Sequence, residues 1–326
     1  MLACHAGDPS SSLGQCKLFL FLFLFFSFLT FEKRRIIEKT NQMSEEKKQK
    51  PETQGDKGSL LEQNSDRFLG VADTYDSSRP TIPPYLCETV ISYIGRKPRI
   101  IVDIGCGTGL STRPWVPYAT EKVIGIDPNP DMIEQAAKVS KRSPTYKQAY
   151  AHETGLPDKC ADIIIFASSF HWVDHKTVMP EIDRILAPGG ALVILDAVWP
   201  PSIPGCWRSE KVFEKCMDVN MKLVIERGYI APRNMSAANF SVLKALEDEG
   251  MFAWVRKLYF NSEEKGSWKR LVMLMESCSP VNLMLGKGAS RDECCLTELE
   301  NIAKEEMGGE LKTWLWSMGI TLGLKK

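Results

Sequence analysis

Residues 99–110 read RIIVDIGCGTGL, a run of aliphatic residues followed at once by three glycines in five positions. The β-branched residues of 100–104, with a single Asp103 among them, are typical of a parallel strand that is buried on both faces. Glycines directly after such a strand indicate a sharp turn and a close approach of a ligand to the backbone. The stretch therefore predicts a strand that ends in a ligand-binding loop.

Apolar runs alternate with amphipathic segments on both sides of this stretch, which predicts a doubly wound, mostly parallel α/β sheet. Pro188, Gly189 and Gly190 are expected to end the last helix of this part. The predicted strands cover 100–104, 122–126, 145–148, 161–167 and 191–195, and the predicted helices cover 86–94, 131–141 and 178–186.

The pattern changes after residue 196. Four further helices are predicted at 206–227, 236–249, 266–277 and 294–307. Two further strands are predicted at 251–260 and 311–322. We expect these late strands to close one edge of the sheet and the helices between residues 200 and 250 to cover its open top.

Composition excludes several classes of site. The 326 residues include 41 basic and 41 acidic side chains, so no global field favours nucleic acid or an anionic surface. The 10 cysteines include no CxxC pair, so neither a zinc site nor dithiol chemistry is predicted, and no metal is expected. A reducing compartment fits this cysteine usage, and we expect a cytoplasmic protein.

The N-terminal region is set apart by its composition. Residues 18–31, LFLFLFLFFSFLTF, are almost wholly apolar, yet 14 residues are short of the ~20 that span a bilayer. The segment from Met43 to residue 65 is polar and charged, as in a disordered tail. We expect 1–65 to be an extension outside the fold, with a membrane anchor through 18–31 as the alternative. The globular domain is expected at 66–326, with a core at 95–196 and a cap at 197–326.

A second motif follows the glycine loop at the end of the next strand. Asp127, in VIGIDPNPDMIEQA, lies 20 residues after Gly107. A carboxylate at the carboxyl end of the neighbouring strand can accept hydrogen bonds from a ribose diol. A tight turn plus a helix-capping Asp explains either piece alone, but the combination at this separation favours a nucleoside site.

The loop itself distinguishes between nucleoside cofactors. A dinucleotide fingerprint requires a glycine where this chain has Leu110. A carboxylate at Asp103 would also repel a pyrophosphate near a helix N-terminus. S-adenosylmethionine carries a sulfonium, an ammonium and a ribose but no phosphate, so the residues favour it over a nicotinamide cofactor.

Four segments together resemble the class I S-adenosylmethionine-dependent methyltransferases. The resemblance is to the small-molecule group that includes ubiquinone/menaquinone and trans-aconitate methyltransferases. It implies a seven-stranded, Rossmann-like sheet with a helical substrate cap. The four segments are VDIGCGTG (102–109), VIGIDPNPDMIEQA (123–136), HETGLPDKCADIIIFASSFHWVD (152–174) and EIDRILAPGGALVILD (181–196).

The resemblance also implies cofactor contacts. The glycine loop and Asp103 would surround the methionine part and the ribose, and His152 aligns with the acid that reads the adenine amino edge. Pro114 and Pro117 are expected to shorten or distort the first helix. The residues assigned to the cofactor are Asp103, Gly105, Cys106, Gly107, Thr108, Gly109, Asp127, Pro128, Met132, His152, Glu153, Ser168 and Phe170.

Methyl transfer from a sulfonium is an in-line displacement, and a general base is needed only for a weakly acidic or cationic acceptor. The catalytic candidates are His171 and Trp172; the alternative is that both pack beneath the strand-to-helix connection. The substrate candidates are Tyr75, Arg79 and Asp196. A solvated arginine and a packed tyrosine are equally compatible with the residues.

The predicted function is S-adenosylmethionine-dependent methyl transfer to a small-molecule acceptor, with carboxylic acids among the candidates. Protein methylation and nicotinamide-dependent oxidation remain the alternatives. Nucleic acid is not an expected partner, because residues 168–171 (SSFH) lack the Asn/Asp-Pro-Pro-aromatic tetrapeptide of adenine methylation and no basic stripe is present.

Overall fold

The structure, a computed structural model, describes residues 72–139, 143–229 and 235–326. All of them belong to the unit that spans Leu60–Lys326. The apolar run at 18–31, the charged tail and the expected boundary at residue 65 lie outside the described residues. Within the described part of the chain, no helix is both long and apolar enough to cross a bilayer.

Seven strands form one sheet in the order β3-β2-β1-β4-β5-β7-β6. The first five strands are parallel, and β7 is antiparallel to both of its neighbours, as predicted for a doubly wound, mostly parallel sheet. The strands are β1 (Ile100–Ile104), β2 (Lys122–Asp127), β3 (Thr145–Gln148), β4 (Ala161–Ala167), β5 (Leu186–Ala197), β6 (Phe252–Gly266) and β7 (Lys312–Lys325).

Two apolar cores lie on opposite faces of the sheet because successive strand residues alternate in direction. The first core contains Ile101 and Val193, and the second contains Val102 and Leu192. The helices are α1 (Ala72–Ser78), α2 (Pro84–Ile94), α3 (Pro130–Val139), α4 (His175–Ile185), α5 (Trp207–Glu226), α6 (Met235–Asp248), α7 (Trp268–Glu276), α8 (Ser279–Gly286) and α9 (Leu296–Met307).

The segment after β1 contains no α-helix, as Pro114 and Pro117 predict. Only a 3₁₀ turn, Arg113–Trp115, follows the glycine loop, and it buries Trp115 in the first core. A proline ring removes one backbone donor and opposes continuation of a helix, so the chain returns to β2 through turns.

The segment Pro188-Gly189-Gly190 belongs to β5 and does not end α4 as predicted. The helix already ends at Ile185, and the pairing of β4 with β5 shifts register between Ala161 and Ile163. A Cβ at Gly190 would lie 2.8 Å from the carbonyl oxygen of Ala187, so glycine permits the irregular backbone of this strand. At its other end α4 begins after Asp174, whose side chain accepts from Lys176 N, which confirms the expected cap.

The helical cap is formed mainly by α5 together with α7, α8 and α9, which pack on one another. Of the two helices expected to cover the sheet between residues 200 and 250, only α5 joins this cap. The second, α6, packs against β6 and adds Val242 and Leu246 to the second core. The short helix α8 was not predicted, because eight residues carry too little periodic signal.

Strands β6 and β7 extend beyond the rest of the sheet. Their pairing continues to Gly266 opposite Lys312, whereas β5 ends at Ala197 opposite Met318. Trp314 and Trp316 alternate along β7 and are both fully buried in the first core, as their period of two predicts. The long strand pair therefore attaches the cap to the sheet.

We expect Gly266→Ala to destabilise the fold by about 1–3 kcal/mol, because a Cβ there would lie 2.1 Å from the buried Trp314 ring. Gly309→Ala is the control, since nothing lies within 4 Å of its Cβ position, and should change stability by less than about 1 kcal/mol. Urea unfolding of both variants measures the difference. Equal effects would show that the contact at Trp314 is not a constraint.

Candidate active site

The glycine loop after β1 is tied to the end of β2. Gly105 N and Cys106 N donate to the carbonyl oxygen of Ile126 at 2.7 and 3.0 Å, and Gly107 N donates to Asp127 Oδ2 at 2.9 Å. The loop thus lies at the carboxyl ends of the parallel strands, beside the point where the strand order reverses between β1 and β4. Ligands of open α/β sheets bind at such a point.

Two of the three loop glycines are fixed by contacts within the protein. A Cβ at Gly105 would lie 2.5 Å from Ser169 Cβ, and one at Gly109 would lie 2.1 Å from the hydroxyl of Tyr146. Gly107 differs, because the nearest atom to its Cβ position is Met132 Sδ at 4.0 Å. All three have positive φ, so the middle glycine combines a left-handed backbone with free space in front of it.

Asp103 is a fully buried carboxylate next to this loop. Its Oδ2 accepts hydrogen bonds from Ser111 Oγ at 2.6 Å and from Thr112 Oγ1 at 2.7 Å. Its Oδ1 has no hydrogen-bond partner among the described residues. Burial raises the pKa of Asp103 to about 6, the two hydroxyls lower it, and the charge of Asp127 raises it further. Such a group gains stability from a cation.

Asp127 ends β2 with both carboxylate oxygens turned to backbone donors. Besides Gly107 N, it accepts from Asn129 N at 2.9 Å. Burial raises the pKa of Asp127, and these two N–H groups lower it. Pro128 follows in the turn, and Asn129 Oδ1 accepts from Asp131 N at 2.9 Å. The turn therefore holds Asp127 and caps α3 at the same time.

The predicted adenine-side residues lie next to the end of β2. Ala149 N donates to the carbonyl oxygen of Asp127 at 3.2 Å, which brings the loop after β3 to this edge. The ring of His152 stacks on that of Tyr150 at 5.6 Å, and Glu153 is exposed. Met132 is buried at the start of α3.

The end of β4 combines one strained residue with one core residue. Ser168 has φ +53°, rare for a residue with a side chain, and its N–H donates to the carbonyl oxygen of Leu195 at 2.7 Å. Phe170 is buried in the second core, stacked on His175 at 4.4 Å and in edge contact with Phe166 at 5.0 Å. The placement of Phe170 favours packing over contact with a ligand.

His171, Trp172 and Asp196 come together at the ends of β4 and β5. His171 Nδ1 lies 3.9 Å from Asp196 Oδ1, and the rings of His171 and Trp172 are 5.0 Å apart. The side chains of His171 and Asp196 are 35% and 41% exposed, so both reach solvent. Burial raises the pKa of Asp196, and Lys257 lowers it. The group could therefore exchange or hold a proton near an exposed ligand.

Arg79 follows α1 and is held between two aromatic rings. Its guanidinium carbon lies 4.6 Å from the centroid of Tyr75 and 4.7 Å from that of Trp199. Nε and Nη2 donate to Ser277 Oγ at 3.1 Å and to the Ser277 carbonyl oxygen at 2.8 Å. No carboxylate of the described residues forms an ion pair with Arg79. The cation is oriented but not neutralised.

Two residues that the sequence analysis missed connect α1 to the glycine loop. The carboxylate of Asp76 accepts from Thr108 Oγ1, and it pairs with Arg113 Nη2 at 2.6 Å. Arg113 Nη1 donates in turn to the carbonyl oxygen of Thr108 at 2.8 Å. These residues are 32 and 37 positions apart and share no periodic pattern, so only the folded chain reveals the contact.

No group of three or more potential metal ligands was found among the residues that the structure describes. The eight described cysteines are free thiols. Burial raises the pKa of the Cys106 thiol well above its ordinary value, and the neighbouring charges of Asp103 and Asp127 raise it further. The thiol next to the glycine loop is therefore protonated at neutral pH.

Comparison with known proteins agrees with this geometry. Residues 102–194 match the methyltransferase domain family model. An uncharacterized methyltransferase of Mycobacterium tuberculosis is 30% identical over 38% of this chain and 49% of its own length. A trans-aconitate 2-methyltransferase of Methylobacterium radiotolerans is 36% identical over 30% of this chain and 37% of its own length. The chain spans about half the length of the first curated relatives it matches.

The fold has a counterpart among solved structures. A protein of Anaeromyxobacter dehalogenans, assigned to the type II methyltransferases, superposes with a TM-score of 0.54 at 19% identity, over 76% of this chain and 97% of that one. The fold is that of the class I methyltransferases, and residues 102–194 are a methyltransferase domain.

We expect Asp103→Asn to change how stability depends on pH. Because burial raises the pKa of Asp103 from 3.8 to about 6, the protonated form stabilises the fold, and this contribution is lost as the pH rises through about 6. Relative to Asp103→Asn, the wild-type protein should lose unfolding free energy between pH 3.8 and about 6 in urea titrations.

Ser111→Ala is the companion variant. It removes a hydrogen bond that lowers the pKa of Asp103, so the loss should move to higher pH. Parallel pH profiles for the wild type and Asp103→Asn would contradict a raised pKa at this position.

Proposed function

We propose that this protein transfers a methyl group from S-adenosylmethionine to a small-molecule acceptor. One observation carries the proposal, namely the buried Asp103 carboxylate with an unpartnered Oδ1 beside a glycine loop that is open at Gly107. S-adenosylmethionine brings two cationic centres and no phosphate, so its methionine part complements a buried negative charge at the loop.

The same residues oppose a nicotinamide cofactor. A dinucleotide places its pyrophosphate at the N-terminus of the helix that follows the glycine loop. Here the loop leads only into the 3₁₀ turn Arg113–Trp115, and Leu110 replaces the last glycine of the fingerprint. With Asp103 buried nearby, a pyrophosphate would meet repulsion and no helix dipole.

The remaining cofactor contacts follow from the strand ends. Asp127 would accept hydrogen bonds from the ribose hydroxyls, and the free space at Gly107 beside Met132 would hold the nucleoside. His152 and Glu153, on the loop next to Asp127, would face the adenine edge. Ser168 at the end of β4 would face the methionine part, whereas Phe170 supports this loop from the core.

When bound, the cofactor supplies a methyl group activated by its sulfonium. The protein's contribution is to hold the acceptor in line with that group and to exclude water, which can lower a barrier by about 7–11 kcal/mol. His171 and Trp172 are proposed to contact the acceptor above β4. Asp196, next to His171, would orient the imidazole.

A carboxylic acid is the acceptor class that Arg79 supports. Its guanidinium is fixed by Ser277 and by the rings of Tyr75 and Trp199, and no described carboxylate neutralises it. Fixed arginines bind carboxylates with two parallel hydrogen bonds. The name of the Methylobacterium relative, a trans-aconitate 2-methyltransferase, points to the same chemistry. A carboxylate acceptor needs no general base, so His171 would serve as a hydrogen-bond donor.

Calorimetric titration with S-adenosylhomocysteine tests the cofactor. We expect binding by the wild type and a loss of about 10- to 100-fold in affinity for Asp127→Ala, as for lost hydrogen bonds to a charged group. Asp131→Ala is the matched control, because this exposed carboxylate on α3 should leave the affinity unchanged. Binding of NADH without binding of S-adenosylhomocysteine would overturn the proposal.

A methylation assay with labelled donor tests the acceptor class on di- and tricarboxylic acids, including trans-aconitate, with phenols, amines and a mixed peptide library as comparisons. For an acidic acceptor, Arg79→Gln should raise KM by about tenfold or more, the energy of a charge-assisted hydrogen bond. Its affinity for S-adenosylhomocysteine should not change. Arg79→Lys should recover only part of the loss, because a point charge replaces a planar fork. Exclusive methylation of amines, phenols or peptides would exclude an acid acceptor.

A further inference from the structure

Strand β6 is the outermost strand of the sheet. It follows β7 at the end of the strand order, and no strand within the described residues pairs with its other edge. It is also 15 residues long, about three times the usual length of a strand. A long unpaired edge is a ready template for pairing with another chain.

Exposed aromatic side chains are concentrated along this strand. Tyr259, in the middle of β6, is 70% exposed. Tyr85, which is 42% exposed, lies 5.8 Å from the ring of Phe260. Tyr93 stacks on Trp254, with ring centroids 5.0 Å apart. Aromatic groups in contact across a solvent-facing edge are typical of an interface.

The charges of β6 are divided between its two halves. Arg256 and Lys257 lie before the midpoint, and Glu263 and Glu264 lie after it. Neither Arg256 nor Lys257 forms an ion pair with a carboxylate of the described residues, whereas Glu264 pairs with Arg270. A strand with this division is complementary to an antiparallel copy of itself.

We propose that β6 pairs antiparallel with β6 of a second copy of this chain, about a two-fold axis at Phe260. This register places Lys257 opposite the partner's Glu263 and Arg256 opposite the partner's Glu264, each pair occurring twice. Opposite charges that face each other across two strands stabilise the pairing, and like charges destabilise it. The symmetric contact closes after two copies, as in most dimers.

The aromatic residues fit the same register. Phe260 faces the partner's Phe260 at the axis, with Tyr85 beside it on the same face of the sheet. On the other face, Tyr259 is diagonal to the partner's Tyr259, a separation that aromatic side chains can span. Pairing would therefore bury both copies of the most exposed aromatic ring among the described residues.

Two observations argue against other arrangements. Basic residues alone can protect a strand edge from pairing, but the acidic half of β6 removes that protection in an antiparallel copy. The groove between α5 and α9, about 710 Å³ with the exposed Trp207 at its rim, is a rival surface. Its cations Arg208 and Lys215 are already paired with Glu305 and Glu298, so it offers less charge complementarity to a partner.

Sedimentation equilibrium of the full chain tests the proposal, with circular dichroism to verify folding. We expect a dimer for the wild type and about tenfold weaker association for Lys257→Glu and for Glu263→Lys. The double variant should recover the dimer, because each new glutamate then faces a new lysine. Trp207→Ser is the matched exposed-aromatic control and should remain dimeric.

A wild-type protein that stays monomeric throughout the concentration range would overturn the proposal. So would a double variant that remains as weak as the single ones, or dissociation by Trp207→Ser, which would assign the interface to the α5/α9 groove. Cofactor binding is independent of this contact, so its presence or absence leaves the result unaffected.

Discussion

The site depends on three backbone donors that join the glycine loop to β2. Gly105 N, Cys106 N and Gly107 N all donate to the last two residues of the neighbouring strand. These bonds exist only because β1 and β2 are parallel and in register, so that both strands end at the same edge. They place a carboxylate, an open glycine and a buried acid within one turn of chain, which is the arrangement that a cationic nucleoside requires.

The core of the fold could be predicted from the sequence because its signals are local. The bounds of β1, β3 and β4 match the predicted residues, since β-branched runs end there at glycine or polar residues. Pro188-Gly189-Gly190 misled because a register shift with β4 accommodates it inside β5, and such a shift depends on the partner strand. The expected cover by both helices of residues 200–250 failed for a similar reason, because amphipathic residues do not state which face of the sheet they cover.

The candidate site divides along the same line. Asp103, the loop glycines and Asp127 belong to motifs with fixed spacing, and the structure brings them together. Asp76 and Arg113 carry no such motif, although their pairing fixes α1 against the loop. The aromatic clamp on Arg79 likewise joins three distant segments, so the sequence could indicate the arginine but not the absence of a neutralising carboxylate.

Helix α1 is attached at both of its ends to different parts of the molecule. Asp76 binds the glycine loop, while Arg79, three residues later, binds Ser277 of the cap. Displacement of this short segment from one attachment strains the other, so occupancy at the nucleoside end and occupancy at the acceptor end are thermodynamically linked. By reciprocity, whatever factor one ligand adds to the affinity of the second is returned by the second to the first.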